Sequence, residues 1–475
     1  MVLSSELFLF IFLPIALAIY MTVYKIKKSK QNLVLCILSG IFCAWSGIHT
    51  FLVLFLLTIM NFFAGKNIEA IVTHNRKKKV FLLAIIINIL ILMVYKYTAF
   101  FISNLDWLAN TIKMPWLHFD VPKILAPMGL SYYTFSAISY LVDIYKGDTE
   151  ACPEFGGVYL YLLMFPKVIS GPIMRFGEMK NALSNRIISE SSFYNGVTKF
   201  MLGMSKKILL ADRMSVLADA AFNCEWPLFF GYAWLGVICY ALQLYFDFSG
   251  YTDMALGLGL MFGFKLRENF NYPYIAMSIK EFWRRWHITL SEWFRDYIYI
   301  PLGGNRKGSI IKYRNLLIVF FLTGLWHGAG WKFVLWGGVH GIFLVLESLF
   351  LDRLMKRVPS FIRHCYCIIV VLIGWVFFRA NGLREAIMYL KRMFCFKVEG
   401  VVNIEILPHL TFEFFFFFIL SVFLCTPMLS YVLDKVEEYT VWKRGLKDIF
   451  VLLIFIISIC FLMGDSFNPF IYMKF

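Results

Sequence analysis

Three of the eight histidines fall in one stretch of this 475-residue chain, as Trp286-His287-Ile288, Trp326-His327-Gly328 and Val339-His340-Gly341. Imidazole has an ordinary pKa of about 6.5, which suits proton transfer at neutral pH, so histidines in apolar sequence are the first candidates for general-base chemistry. His327 stands thirteen residues beyond Arg314. At about 1.5 Å per helical residue it would lie about 20 Å into a hydrocarbon layer entered at that arginine. A polar group at that depth is costly unless it faces a cavity or a partner, which makes it a functional candidate; the alternative is a histidine that hydrogen-bonds two helices together. Gly328 and Gly330 would allow a sharp turn or a close approach, and Trp326, Trp331 and Trp336 could wall an apolar tunnel. His340 is expected to be structural.

Arg284, Arg285, Arg295 and Asp296 flank His287 in a stretch too charged for a lipid-facing span. They could form a cationic site for a phosphate-rich cofactor entering from the cytoplasm, or they could snorkel to a membrane face. Asp247 and Asp253 lie six residues apart among apolar neighbours. On a helix that spacing sets them about 120° apart, so they do not form an obvious acid and base pair. They are expected to pair with an arginine, for which Arg284 and Arg285 are candidates. The run Gly303 to Gly308 lacks the Lys-Ser/Thr ending of a phosphate-binding loop and reads as a surface turn. The ten cysteines are scattered, with no disulfide framework and no metal site expected. Tyr472, beside the end of the last apolar run, reads on residue type alone as an interfacial aromatic anchor.

The elements that must carry these residues are membrane spans. The chain is 60% hydrophobic and 16% charged, outside the range of ordinary soluble domains. Its apolar runs approach the length of about 20 residues that crosses a bilayer. The net charge of +16 comes from short Lys and Arg clusters between those runs, which points to membrane topology and against nucleic acid. The first run, Met1 to Tyr20, lacks a basic leader and reads as a retained span. Clusters at Lys25 to Lys30, Arg76 to Lys79, Lys356 to Arg363 and Lys443 to Lys447 are assigned to the cytoplasmic side. Both termini are then extracytoplasmic, and Ser103 to Pro127 is an external loop. Pro166, Gly171, Pro172, Gly250, Gly257 and Gly259 interrupt the middle of the chain and suggest broken or re-entrant segments. The expected organisation is one membrane domain: N-terminal spans in 1–125, a catalytic core in 126–400, and C-terminal spans with an external tail in 401–475.

Several ordered motifs resemble the membrane-bound O-acyltransferase family, in its bacterial branch that includes the membrane subunit of the alginate O-acetylation machinery. They are Phe8 to Pro14, Pro127 to Phe135, Ser170 to Phe176, Tyr245 to Asp253, Asn269 to Pro273, Trp283 to Ser291, Leu325 to Ala329 and Trp375 to Arg379. The resemblance implies an all-α polytopic protein, with about 11–13 spanning or re-entrant helices ringed around a central funnel. It implies His327 as the catalytic residue and His287 as an auxiliary. It also implies acetyl-CoA as a cytoplasmic donor substrate, with no bound cofactor and no metal. Arg284, Arg285, Trp326, Asp247 and Asp253 are the donor-site or funnel candidates. The ending Phe470-Ile-Tyr472-Met-Lys-Phe475 is similar to a C-terminal motif of extracytoplasmic acylation systems. That likeness makes Tyr472 an acyl relay to an extracellular or membrane-anchored acetyltransferase partner, for O-acetylation of a polysaccharide or peptidoglycan. Two other readings stand beside it: D-alanyl transfer to teichoic acid, and a transporter or channel with a buried histidine proton relay.

Overall fold

Long apolar runs at membrane depth must satisfy every backbone group internally, which leaves the helix as the working element for this sequence. The computed structural model describes residues 1–114, 118–122, 124–224, 228–395, 406–429, 441–464 and 469–471, with backbone alone for 441–444. The described residues form helices joined by turns and irregular segments and contain no strand. In order the helices are α1 (Phe8–Ile26), α2 (Gln31–Trp45), α3 (Ile48–Ala70), α4 (His74–Thr111), α5 (Leu130–Lys146), α6 (Phe155–Leu163) and α7 (Phe176–Ser184). There follow α8 (Glu190–Ser205), α9 (Asp212–Asn223), α10 (Phe230–Met261), α11 (Ile279–Arg285), α12 (Ile288–Phe294), α13 (Ser309–His327) and α14 (Trp331–Leu346). The last are α15 (Asp352–Met355), α16 (Ser360–Arg379), α17 (Leu383–Met393), α18 (Phe412–Leu424) and α19 (Val441–Gly464).

Seven stretches among the described residues are long and apolar enough to cross a membrane: α1, α3, α4, α13, Trp331–Met355, α16 and Gly445–Gly464. The chain is a multi-pass membrane protein. Helix α4 continues to Thr111, so the loop expected to begin at Ser103 begins later. Side chains of Asn104 and Thr111 bond back to the carbonyls of Phe100 and Trp107, which lets polar residues extend the helix.

The chain divides into two compact units, Met1–Tyr194 with Leu258–Arg267, and Asn195–Gly257 with Glu268–Phe475. In the first, a buried clasp joins α3, α4 and α5. Asn61 and Asn88 exchange reciprocal amide hydrogen bonds at 3.1 and 2.9 Å, and Asn61 also donates to the Tyr133 hydroxyl. Such contacts hold helices together where lipid offers no hydrophobic drive. The segment from Met164 to Arg175 is non-helical at its end and turned at its start, as Pro166, Gly171 and Pro172 suggest.

The other glycines of the middle region behave differently from expectation. Helix α10 runs through Gly250, Gly257 and Gly259 without a break. A Cβ on Gly250 would lie 2.6 Å from the Gly203 carbonyl, and one on Gly257 would lie 2.5 Å from the Gly196 carbonyl. In the second unit these glycines therefore let α8 and α10 approach backbone to backbone. The same device joins α13 to α14, where Gly324 and Gly337 meet the carbonyls of Phe333 and Phe320.

Candidate functional site

His327 is the last residue of α13, and Gly328 to Gly330 turn the chain directly into α14. A Cβ on Gly328 would overlap the Phe333 ring, at 2.0 Å, so only glycine fits this turn as built. The His327 side chain is buried and is met by three aromatic rings. Trp326 and Trp336 each lie 4.8 Å away between ring centres, and Phe378 of α16 lies 5.3 Å away, all edge to face. Such a sleeve keeps water from the imidazole while fixing its plane.

His287 joins α11 to α12 with φ +44°, a left-handed conformation unusual for a residue with a side chain. The strain is sustained by its neighbours. Asn271 N–H donates to the Arg285 carbonyl and Ile288 N–H to the Asn269 carbonyl, each at 3.0 Å, so the segment 269–271 is laced along both sides of the histidine. Asn269 Oδ1 accepts from the backbone N–H and hydroxyl of Thr289, at 3.2 and 2.8 Å, and it faces His287 Nδ1 at 3.3 Å. An oxygen already accepting from an N–H requires a donor at Nδ1. The neutral ring is thereby set with Nε2 as its basic nitrogen. Complete burial pushes the imidazolium of His287 down to about 3, which keeps the ring neutral at physiological pH.

Trp326 connects the two histidines. Its ring centre is 4.8 Å from that of His327 and 6.2 Å from that of His287, while Phe248 of α10 closes the other side of His287 at 4.8 Å. His340 is fully buried among Phe282, Trp283, Trp336 and Trp375 and lies against Gly374 of α16. It packs the α14 to α16 contact. Trp336, which touches both His327 and His340, is wholly buried, whereas Trp331 is 56% exposed.

Beside these rings is a cavity of about 580 Å³. Trp283, Val319, Phe320, Thr323 and Leu344 form part of its apolar wall, and the cations Lys280, Arg284, Arg295 and Lys312 line it together with Glu292, Glu347 and Asp352. Trp283 links the cavity to the site, since its ring is 5.7 Å from that of Trp336. Glu347 anchors the start of α11 by accepting the N–H groups of Ile279 and Lys280, at 2.6 and 3.0 Å, and the Tyr366 hydroxyl at 3.1 Å. A carboxylate at a helix N-terminus is well placed for those amides. It holds the helix that carries Trp283 and Arg284.

The residues expected to act are thus divided. His327, His287 and Trp326 come together, and Arg284 lines the cavity. Arg285 turns away to Glu281 and the Asn271 carbonyl, at 2.9 and 3.1 Å. The expected pairing of Asp247 and Asp253 with Arg284 or Arg285 does not occur. Asp247 meets Lys207 at 2.8 Å, and Asp253 meets Lys206 at 2.6 Å and Lys199 at 3.8 Å. The reason is proximity: the tight α8 to α10 packing brings the lysines at the end of α8 against the aspartates of α10, whereas Arg285 finds a carboxylate on its own helix. Tyr472 lies outside the described residues. Among the described residues no group of three His, Cys, Asp or Glu side chains converges in a way that could hold a metal. Asn269 and Phe378 lie inside motifs noted in the sequence, but their roles appear only once the chain is folded. Glu347 and Lys207 carried no such signal.

Residues 152–390 match the model of the membrane-bound O-acyltransferase family. Over its whole length the chain is 38% identical to a Pseudomonas putida protein described as "Probable alginate O-acetylase AlgI", which is likewise covered completely. It is 34% identical to a Helicobacter pylori peptidoglycan O-acetyltransferase, covering 82% of this chain and 79% of that protein. It is 28% identical to a Bacillus subtilis teichoic acid D-alanyltransferase over 52% of this chain and 65% of that protein.

Proposed function

This chain belongs to the membrane-bound O-acyltransferase family, and from that premise we propose that it moves an acetyl group from cytoplasmic acetyl-CoA to an extracytoplasmic acceptor, with His327 as general base. The observation that carries the reading is the pair of buried histidines on either side of Trp326, next to a cavity lined by four cations. Two of the relatives act on alginate or peptidoglycan by name, which favours acetyl as the transferred group and an envelope polysaccharide as its destination.

The chemistry follows from the side chains. The phosphates of acetyl-CoA meet Lys280, Arg284, Arg295 and Lys312, and its pantetheine arm lies along the apolar wall towards Trp283. The ring nitrogen of His327 removes the proton of an acceptor hydroxyl. The resulting oxygen attacks the thioester carbonyl, the tetrahedral oxyanion collapses, and the C–S bond breaks. The imidazolium returns its proton to the departing sulfur, so the products are an oxygen ester and free CoA. His287, neutral and held by Asn269, is the auxiliary that fixes Trp326 against His327.

The acceptor hydroxyl in this proposal is the phenol of Tyr472. A phenyl ester has a better leaving group than a sugar ester, with a phenol pKa of about 10, so onward transfer to an extracellular or membrane-anchored acetyltransferase partner runs downhill. On the charge-cluster reading both termini are extracytoplasmic, on the side of that partner.

Replacing His327 by Ala tests the mechanism. Release of O-acetyl groups from the cell envelope is expected to fall about 100-fold or more, with the protein still present in the membrane. Undiminished acetylation would remove His327 from the reaction. The mass added to the C-terminal peptide separates acetyl from D-alanyl transfer.

A further inference from the structure

Lys207 lies in the π-turn Lys206–Ala211 between α8 and α9 and is 2% exposed. Its ammonium is 2.6 Å from Asp212 Oδ1 and 2.8 Å from Asp247 Oδ1. A buried ammonium between two carboxylates would be complete as a lock between the π-turn and α10. It does more than that here. The second oxygen of Asp247 accepts the backbone N–H of Ile471 at 2.8 Å. The ammonium of Lys207 also stands 5.1 Å from the centre of the Phe470 ring, which is set edge to face against Tyr251 at 5.0 Å. Phe470 and Ile471 are 1% and 7% exposed.

These contacts differ in what they select. The cation and the edge of Tyr251 define a slot for an aromatic ring, which fixes the register of the segment after α19. The charged carboxylate gives a strong bond to a main-chain N–H, which fixes direction without regard to the side chain. The next residue in α10 after Asp247 is Phe248, which packs on His287 at 4.8 Å. The next residue in the tail after Ile471 is Tyr472.

We propose that Lys207 and Asp247 form a tail lock, a positioning device that clamps Phe470 and Ile471 so that Tyr472 is presented to the acyl site. The inference rests on the relay reading of Tyr472, but the docking of the tail is separable from it. Neither residue of the lock lines the cavity assigned to the donor, so both act through the tail.

The test uses the full-length protein in membranes, trimmed with a carboxypeptidase and followed by mass spectrometry of the C-terminal peptide. In the wild type, digestion is expected to stall before Ile471. In Lys207→Met and Asp247→Ala it is expected to pass that point at least tenfold faster. Phe470→Ala empties the aromatic slot and leaves the buried ion pair untouched, so it decides the matter even if the core variants fail to fold. Its tail is expected to be digested as readily, whereas Ile471→Val should behave as wild type. The same locked-to-unlocked variants should lower the acetylation kcat at least tenfold and leave the KM for acetyl-CoA unchanged. Stalling before Ile471 that persists in Phe470→Ala overturns the lock. Loss of protection accompanied by unchanged acetylation, with Tyr472→Phe also fully active, leaves the lock in place and overturns the relay.

Discussion

At His287 backbone strain, a fixed tautomer and complete burial coincide, and each has a measurable result. The positive φ is held by the hydrogen bonds of the 269–271 segment, and the tautomer by Asn269. Burial holds its pKa at about 3, below an unfolded value of about 6.5. Between these values the unfolded chain binds more protons than the folded one. Stability is therefore complete above about pH 6.5 and declines as pH falls through the window, by up to about 1.4 kcal/mol per unit. Replacing His287 by Asn removes that contribution. Melting temperatures measured in detergent at pH 7.5 and pH 5 are expected to converge, or cross in favour of the variant, at the lower pH. A difference independent of pH would mean that the ring is solvated in the folded protein. Residue type and spacing singled out His287 and His327 as candidates. Their mutual geometry was not legible there, because Trp326 lies next to His327 in sequence but meets His287 only after α11 and α13 pack.

Among the helices, the glycines separate close approach from flexibility. Gly250 sits where α10 meets the carbonyl of Gly203, while a Cβ on Gly338 of α14 would meet nothing within 4 Å. Gly250→Ala must therefore push two helices apart, at a cost of about 1–3 kcal/mol. Gly338→Ala gains helix propensity and meets no obstacle, so it should be neutral or stabilising by up to about 1 kcal/mol. Thermal unfolding of the two variants in one detergent checks the contrast, and equal melting temperatures would refute the close contact. The sequence marked Gly250 and Gly257 as special for the wrong reason. A glycine in an apolar run signals either a break or a close neighbour, and only the position of α8 chooses between them. The same packing sent Asp247 and Asp253 to lysines, because ion pairs form with whichever cation the helix contact supplies.

For the whole molecule, the reading requires a donor held by charge in the second unit and a tail held in that same unit. Arg284 lines the cavity and Arg285 does not, so the adjacent arginines should respond differently. Arg284→Ala is expected to raise the KM for acetyl-CoA about tenfold, the loss of about 1.4 kcal/mol of binding. Its kcat should stay near that of the wild type, since a remote phosphate contact is made equally in the ground and transition states. Arg285→Ala should leave that KM unchanged. A collapse of kcat at constant KM in Arg284→Ala would move this residue from donor binding to the chemistry. By itself the sequence determined that the chain is helical and membrane-embedded, and which family it resembles. Hydropathy, charge clusters and motifs are local properties that survive in one dimension. Only the tertiary structure decided that Asn269 sets the tautomer of His287, that Glu347 anchors α11, and that Lys207 and Asp247 receive the tail. Each of those contacts joins residues far apart in the chain, and their partners were set by helix packing.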